Sequence, residues 1–352
     1  MRCAVVEYNW YHDEVIPTLV YALNRLGFDV DVYLPRKALA ADTFCFASAL
    51  SYEAHAIDGP LGKLRGTPRW RRRYDLTIAN SIEPVEVLRR TEKLAGPLLA
   101  IVHNASLLRT APEYAAYFEP SRRAPVVLWP HVADYLAPDW KAEWIAPVYF
   151  GEVPRGNGQD ERSDVVEFCV QGNFAFDRRN YDSLLAAVEE LIAAGRRGYG
   201  ITFVGRSDTP DGLAFRARLA GSTASVAVSF TTPGMRYRDY YSLIAGADYI
   251  LPLVDTSTPQ YGYYYADKAT SSLAVSIGLG VVPIIQSRLA QLYKLSDAGI
   301  CYEDGRLAAA MAHAIVLPAD EIDLRREALA ERRETVLAET VANLRRAVEM
   351  VS

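Results

Sequence analysis

The chain has 352 residues, 50% of them hydrophobic and 23% charged, with a formal net charge of -5. That length exceeds one ordinary domain and suits two, each burying its own core. The composition excludes a disordered or fibrous chain, and a net negative charge supplies no general field for nucleic acid.

Cys3, Cys45, Cys169 and Cys301 lie far apart, and Cys3 and Cys169 fall in apolar runs, so the cysteines read as reduced thiols rather than disulfide or metal partners. The opening "MRCAVVEYNW" enters a strand-like run directly, without a signal-peptide pattern, and no apolar stretch reaches the ~20 residues that span a bilayer. The expected location is the cytoplasm.

In chain order, "RCAVVEYNW" reads as a strand, "EVIPTLVYALNRLG" as a helix stopping at Gly27, and "FDVDVYL" as a second strand. Further strand-like runs, "LTIAN", "LLAIVHN" and "PVVLWP", extend this βαβ opening into one parallel α/β domain over residues 1–150. The Gly-, Pro- and charge-rich "FGEVPRGNGQDERSD" marks a linker at 151–164. The alternation then restarts with "VVEFCVQG", the helix "YDSLLAAVEELIAAG", and the strands "GITFVG", "ASVAVSF", "ADYILPLVD" and "VVPII", giving a second doubly wound domain over 165–325. A charged amphipathic helix is expected at 326–352. In open parallel sheets ligands bind beyond the carboxyl ends of the strands, so the two domains are expected to face each other across a cleft.

The stretch "QYGYYYADKATSSLAVSIGLG" places Ser271 and Ser272 at a helix start, where free N–H groups and the helix dipole favour an anion. Lys268 adds a cation just upstream and Thr270 a hydroxyl, a combination suited to a diphosphate; an ordinary serine cap beside a solvated lysine explains it equally well. In "VQGNFAFDRRNYD", Gly172 and Asn173 sit at a strand end, with Arg178 and Arg179 just before a helix. Arg206 follows the strand "ITFVG" in the same way. Surface charge is the commoner fate of such arginines.

Taken in order, "FCVQGNFAFDRRNYDSLLAAVEEL", "ITFVGRSD", "TTPGMRYRDYYSLIAGADYILPLVD" and "SIGLGVVPII" resemble the C-terminal half of glycosyltransferases with the two-domain GT-B fold, two Rossmann-like domains in an α/β chain. The resemblance covers most of 165–285 and rests on the order of its motifs more than on any one of them. It implies a metal-independent hexosyl- or deoxyhexosyltransferase that needs no cofactor and uses a nucleotide-sugar donor. Met235, Arg236 and Tyr237 would hold the base. Arg178, Arg179 and Lys268 would neutralise the diphosphate, with Tyr265 beside them. The Tyr-x-x-x-Lys arrangement is also similar, faintly, to the donor site of α1,3-fucosyltransferases. The chain departs from the retaining, sucrose-synthase-like group, which carries two glutamates seven residues apart; here Asp255 could replace the first, and Ser276 stands near the second. Inversion is therefore the expected outcome.

Inversion needs a general base. The loop "EYNWYHDEVIP" supplies His12, Asp13 and Glu14 before Pro17 and Gly27. In the lipid-II-forming N-acetylglucosaminyltransferase and in plant-type glucosyltransferases a His in this loop precedes a Pro and a helix leading to a Gly, and Glu14 occupies that place by count. Helix capping explains the acidic pair as well. Glu83 is the next candidate, and His103 reads as structural. The triplet "DVD" at 29–31 alternates within a strand and reads as structural rather than metal-binding, and no zinc spacing occurs among the histidines. The expected acceptor is a glycan or a lipid-linked molecule of bacterial surface polysaccharide or glycoconjugate synthesis. Arg69, Arg71, Arg72 and Arg73 around Trp70 suit peripheral contact with the inner membrane face, and a solvated basic loop explains them too. A nucleotide-sugar epimerase on the same fold and a non-catalytic binding module are the rival readings.

Overall fold

The computed structural model describes residues 1–9, 11–58, 74–94, 96–154 and 165–352. The chain forms two compact units: Met1–Glu152 with Ala266–Ala269 and Glu334–Ser352, and Val153–Tyr265 with Thr270–Arg333. The basic stretch Arg69–Arg73 and most of the expected linker, 155–164, lie outside the described residues.

Unit 1 is built on β1 (Arg2–Val6), β2 (Asp29–Leu34), β3 (Glu53–Ala56), β4 (Leu76–Ala79), β5 (Leu98–Val102), β6 (Arg123–Leu128) and β7 (Glu143–Ile145). They pair in the order β3-β2-β1-β4-β5-β6-β7, all parallel. A parallel sheet buried on both faces needs continuous apolar strands. That is why Cys3–Val6 and Leu98–Val102 are wholly buried. Fully burying one such Val, Leu or Ile contributes roughly 1.5–3 kcal/mol. The helices are α1 (Ile16–Arg25), α2 (Arg36–Ala41), α3 (Val85–Thr91), α4 (Leu107–Thr110), α5 (Pro112–Tyr117) and α6 (Pro130–Leu136). Pro17 opens α1, where a missing N–H costs nothing, and Gly27 closes the turn after it at φ 80°.

Unit 2 carries β8 (Val166–Gln171), β9 (Tyr199–Val204), β10 (Val228–Phe230), β11 (Tyr249–Ile250), β12 (Val282–Gln286) and β13 (Ile300–Tyr302), again all parallel, in the order β10-β9-β8-β11-β12-β13. Its helices are α7 (Tyr181–Ala193), α8 (Pro210–Ala220), α9 (Tyr237–Gly246), α10 (Ser271–Leu279), α11 (Ser287–Tyr293), α12 (Leu307–Ile315) and the long α13 (Ala319–Val351). Asn180 caps α7 by accepting the Ser183 N–H at 2.9 Å. α10 is apolar around its whole circumference and buried from Ser272 to Leu279; Gly280 ends it at φ 68°.

Two features differ from the expected division. The terminal helix starts at Ala319, seven residues before the expected 326, and only its part from Glu334 belongs to unit 1. The turn Ala266–Ala269 also belongs to unit 1: the Ala105 N–H donates to the Asp267 carbonyl at 3.1 Å, and His131 Nε2 lies 3.2 Å from the Lys268 carbonyl.

The end of α13 completes the β7 edge. Thr340 Oγ1 accepts the buried Ala146 N–H at 3.1 Å, Asn343 Nδ2 donates to the Trp144 carbonyl at 2.9 Å, and Arg346 grips both oxygens of Glu143 at 2.9 Å. Thr340→Val keeps the volume but leaves the Ala146 N–H without its acceptor. The expected cost is about 1–3 kcal/mol, with Thr340→Ser close to the parent. All five tryptophans precede residue 150, so the urea midpoint followed by tryptophan emission reads unit 1 selectively.

Candidate functional site

In unit 2 the strand order reverses between β8 and β11, the place where a doubly wound sheet opens a crevice at its carboxyl ends. Glycines shape this edge. A Cβ on Gly205, after β9, would stand 2.4 Å from the carbonyl oxygen of Gly172, after β8, and both residues have positive φ (142° and 103°). Only bare backbone lets the two loops touch.

Against Gly172 lies Arg179, 6% exposed. Its Nη2 donates to Gln171 Oε1 at 3.2 Å and to Ser272 Oγ at 2.9 Å, while Nε has no partner. Ser272, wholly buried, donates in turn to Gln171 at 3.0 Å, and Ser271 Oγ lies 3.5 Å from the same oxygen. Among the described residues no carboxylate pairs with this guanidinium. A buried charge satisfied only by neutral dipoles is costly. Its neighbour is the start of α10, where the cap residue Thr270 gives no side-chain bond to the first-turn N–H groups and instead donates its own N–H to the Tyr293 hydroxyl at 3.0 Å. Guanidinium and helix N-terminus carry the same sign, so their convergence suits an anion.

The arginine pair is thus split: Arg179 turns inward, while Arg178 and Asn173 are exposed. The tyrosines fix that split. Tyr261 donates to the Phe176 carbonyl at 3.0 Å and Tyr263 to the Asp177 carbonyl at 2.7 Å, pinning the loop that carries both arginines. Tyr265 donates to the Val254 carbonyl at 3.3 Å, and the Arg288 guanidinium lies 5.2 Å from its ring centre. Arg206 is exposed and already bonded to Asp208 at 2.7 Å. Met235 and Arg236 lie between β10 and α9, on the same carboxyl-end edge, and Tyr237 opens α9, stacking on Tyr241 at 5.2 Å. Asp255 accepts from Asn180, Ser257 and the Thr258 N–H, and Ser276 donates to the Val281 carbonyl at 2.8 Å, so both are committed to internal bonds. Lys268 falls with the turn Ala266–Ala269 that groups with unit 1.

Unit 1 has its own reversal, between β1 and β4. There the loop after β1 meets the loops after β4 and β5. Glu7, wholly buried, accepts from the Asn9 N–H at 2.6 Å, Asn80 Nδ2 at 2.7 Å and Ser81 Oγ at 3.3 Å. Asn80 Nδ2 also donates to the carbonyl of His12, which is held in the left-handed region at φ 72°. The His12 ring stacks on His103 at 3.8 Å; His103 Nε2 donates to the Asn80 carbonyl at 2.8 Å, and burial lowers its basicity. Glu83 Oε1 accepts the N–H groups of His103 and Asn104, each at 3.0 Å. Asp13 is buried, and Glu14 beside it keeps a partly exposed edge. Burial first and the Asp13 charge second raise the Glu14 carboxyl to about 7.

The candidates His12, Asp13, Glu14 and Glu83 therefore meet at one edge. Glu7, Asn80, Ser81 and Gln171 were not singled out from the sequence. Glu7 and Asn80 directly follow an apolar strand, Ser81 comes one residue later and Gln171 ends one, and that position at a switch point was the available signal.

One group of described residues has metal-ligand spacing: Asp31, Glu53 and His55, with ligand atoms within 4.8 Å of one another. Asp31 Oδ2 is already taken by Arg2 at 2.9 Å and Tyr74 at 2.6 Å, and Oδ1 lies 3.2 Å from His55, an arrangement that fits the structural reading of "DVD".

No protein-family model matches the chain, and no curated protein matches it. Solved structures do match. An Anabaena protein, Alr3699/HepE, crystallised with UDP and glucose, is 12% identical, with 98% of this chain and 100% of that one covered and a TM-score of 0.65. A UDP-forming α,α-trehalose-phosphate synthase from Burkholderia xenovorans is 12% identical over 99% of both chains at a TM-score of 0.60. WaaG, a glycosyltransferase of lipopolysaccharide biosynthesis, is 15% identical over 100% of both chains at 0.51. At such identities the likeness is one of fold, and the fold of this chain, two Rossmann-like units in tandem, is GT-B.

Proposed function

We propose that the chain is a glycosyltransferase that moves a sugar from a nucleoside diphosphate to a glycan or lipid-linked acceptor. The observation that carries this reading is Arg179, a buried guanidinium without a carboxylate at the start of α10. In the proposal Arg179, Ser271, Ser272 and the free N–H groups of α10 bind the diphosphate, and their attraction grows as the sugar–phosphate bond breaks and charge collects on the leaving oxygen. Gly172 gives the phosphates access to the backbone. Arg178, Arg206 and Lys268 add positive charge, and the loop Met235–Tyr237 takes the base. The similar Anabaena protein, crystallised with UDP-glucose as well as with UDP and glucose, supports a nucleotide-sugar as the donor class.

Unit 1 supplies acceptor and base. We assign the base to Glu14: a carboxyl raised to about 7 is half ionised near neutral pH and strong enough to take a hydroxyl proton. Asp13 raises it, and His12 lies beside it in the loop. Loss of the acceptor proton to Glu14 then accompanies attack on the anomeric carbon, with inversion. This chemistry requires no metal.

One observation favours a second reading. Six acid-base side chains, Glu7, His12, Asp13, Glu14, Glu83 and His103, gather at one edge, and a nucleotide-sugar epimerase needs several such groups and no acceptor. Incubation of the protein with UDP-, GDP- and dTDP-sugars separates the two: slow release of free sugar supports transfer, and isomerised donor supports epimerisation.

Arg179→Met is expected to melt at or above the parent temperature without ligand, since it removes an uncompensated buried charge. It is also expected to weaken nucleotide binding by about 10- to 100-fold, the scale of one charged hydrogen-bond set. Thermal shift against UDP, GDP and dTDP reads both. An unchanged nucleotide shift would reject the anion site.

Glu14→Gln is expected to lower kcat by about 100-fold or more with little change in donor KM. In the parent, kcat/KM should rise with pH through about 7, because the base must lose its proton. A parent profile flat between pH 6 and 8 would remove Glu14 from the role.

A further inference from the structure

Glu7 takes no part in the roles assigned above, yet it is the most enclosed carboxyl of unit 1. It is wholly buried at the end of β1 and touches three donors, the Asn9 N–H, Asn80 Nδ2 and Ser81 Oγ, all of them neutral. Those donors join different pieces of the edge. Asn9 belongs to the loop after β1 and also donates through Nδ2 to Ser81 Oγ at 2.7 Å and to the Glu83 carbonyl at 2.8 Å. Asn80, at the end of β4, uses the same Nδ2 on Glu7 and on the His12 carbonyl. Remove Glu7 and the Asn80 amide that ties the left-handed backbone at His12 to β4 loses the acceptor that orients it.

We propose that Glu7 is a positioning residue for the unit 1 site, fastening the loop of His12 and Glu14 to the end of β4 through Asn80 and Ser81. The proposal rests on the reading of this edge as the base side of the reaction.

The charges around Glu7 argue for the neutral form. The charge acting on it is that of Asp13, from the turn before α1, and Tyr11 in its own loop feels both Glu7 and Glu83. Among the described residues none of its bonded partners is a cation. Burial, reinforced by Asp13, outweighs the three hydrogen bonds and lifts the carboxyl to about 8. The Ser81 hydroxyl can accept as well as donate, so the network keeps its bonds when Glu7 carries a proton. Ionisation would put a second negative charge beside Asp13, and the loop is then expected to part from β4.

The sign of the linkage follows. A carboxyl raised in the folded state holds a proton that the unfolded chain has lost. Its stabilisation is full below the unfolded value of about 4.5 and disappears as pH rises to about 8. Glu14 adds a slope of the same sign, so the comparison of the parent with Glu7→Gln isolates Glu7.

The test uses the full chain, Glu7→Gln and Glu7→Ala. Two measurements need no donor. Melting temperature is followed from pH 5 to 9, and the His12 ring resonances, assigned by loss in His12→Ala, are followed over the same range. The expected result is a parent whose melting temperature falls more steeply with pH than that of Glu7→Gln, and a His12 signal that moves near pH 8 in the parent alone. Glu7→Gln, a neutral isostere, should restore the His12 signal that Glu7→Ala loses; should Glu7→Ala fail to fold, the parent and Glu7→Gln still decide. Equal pH dependence in the two, or a His12 signal indifferent to residue 7, would overturn the proposal. The third measurement is kcat/KM against pH, expected to fall above about 8 in the parent and to stay level in Glu7→Gln. Success of the first two without any turnover would reject the transferase reading and leave the role of Glu7 standing.

Discussion

A guanidinium removed from water and given, among the described residues, neutral partners in Gln171, Ser272 and Tyr181 is the constraint around which unit 2 is arranged. Moving an ion out of water costs several kcal/mol even after the surroundings relax, and neutral dipoles recover only part of it. The sequence around Arg179 is nonetheless built to keep it inside. Tyrosine hydroxyls from 261 and 263 hold the carbonyls of Phe176 and Asp177, Asn180 is fixed by Asp255, and Gly172 leaves room where a Cβ would stand 3.1 Å from the guanidinium. So many bonds around one unpaired charge make sense where a mobile anion completes the set. The helix behind Arg179 reinforces the point, since the start of α10 would repel a cation and attract the same anion.

Unit 1 shows the opposite problem. At the β1–β4 reversal carboxyls lie close together, and the chemical way out is the proton. Glu7 rises to about 8 and Glu14 to about 7. Asp31, on the neighbouring strand β2, has the other outcome: burial pushes it up, but hydrogen bonds from Tyr74 and His55 and the charge of Arg2 outweigh that, and it stays low. One unit therefore holds carboxyls of both kinds. The difference lies in how far hydrogen bonds and positive charge offset burial, with Tyr74 and His55 ahead of Arg2 at Asp31, and it separates a structural acid from acids able to exchange protons near neutral pH.

Much of the fold was legible in the residues. The interior strands β1, β2, β4, β5, β6, β8, β9 and β12 are apolar runs, because a doubly covered sheet tolerates little else, and the helices that follow them carry their own start and stop residues. The edge strands β3, β7 and β13 escaped notice: "EAHA", "EWI" and "ICY" are short and partly exposed, and only pairing with β2, β6 and β12 makes them strands. The extent of α13 was misjudged by seven residues at its start, since its charged face gives no sharp boundary.

By itself the sequence determined two parallel α/β units, the glycines at their strand ends, and the neighbourhood of each site, all of which follow from local spacing and from the apolar run that a buried strand requires. Tertiary structure decided what each polar residue became. Arg178 and Arg179 are adjacent and identical in type, and only the loop pinned by distant tyrosines turns one to solvent and the other beneath it. Lys268 reads as a neighbour of Ser271, yet contacts with Ala105 and His131 place its turn in the other unit. Glu7 looked like the end of a strand until Asn80 and Ser81, more than 70 positions away, closed over it. Burial and charge balance are sums over neighbours from separate strands, and the chain assembles those sums only when it folds.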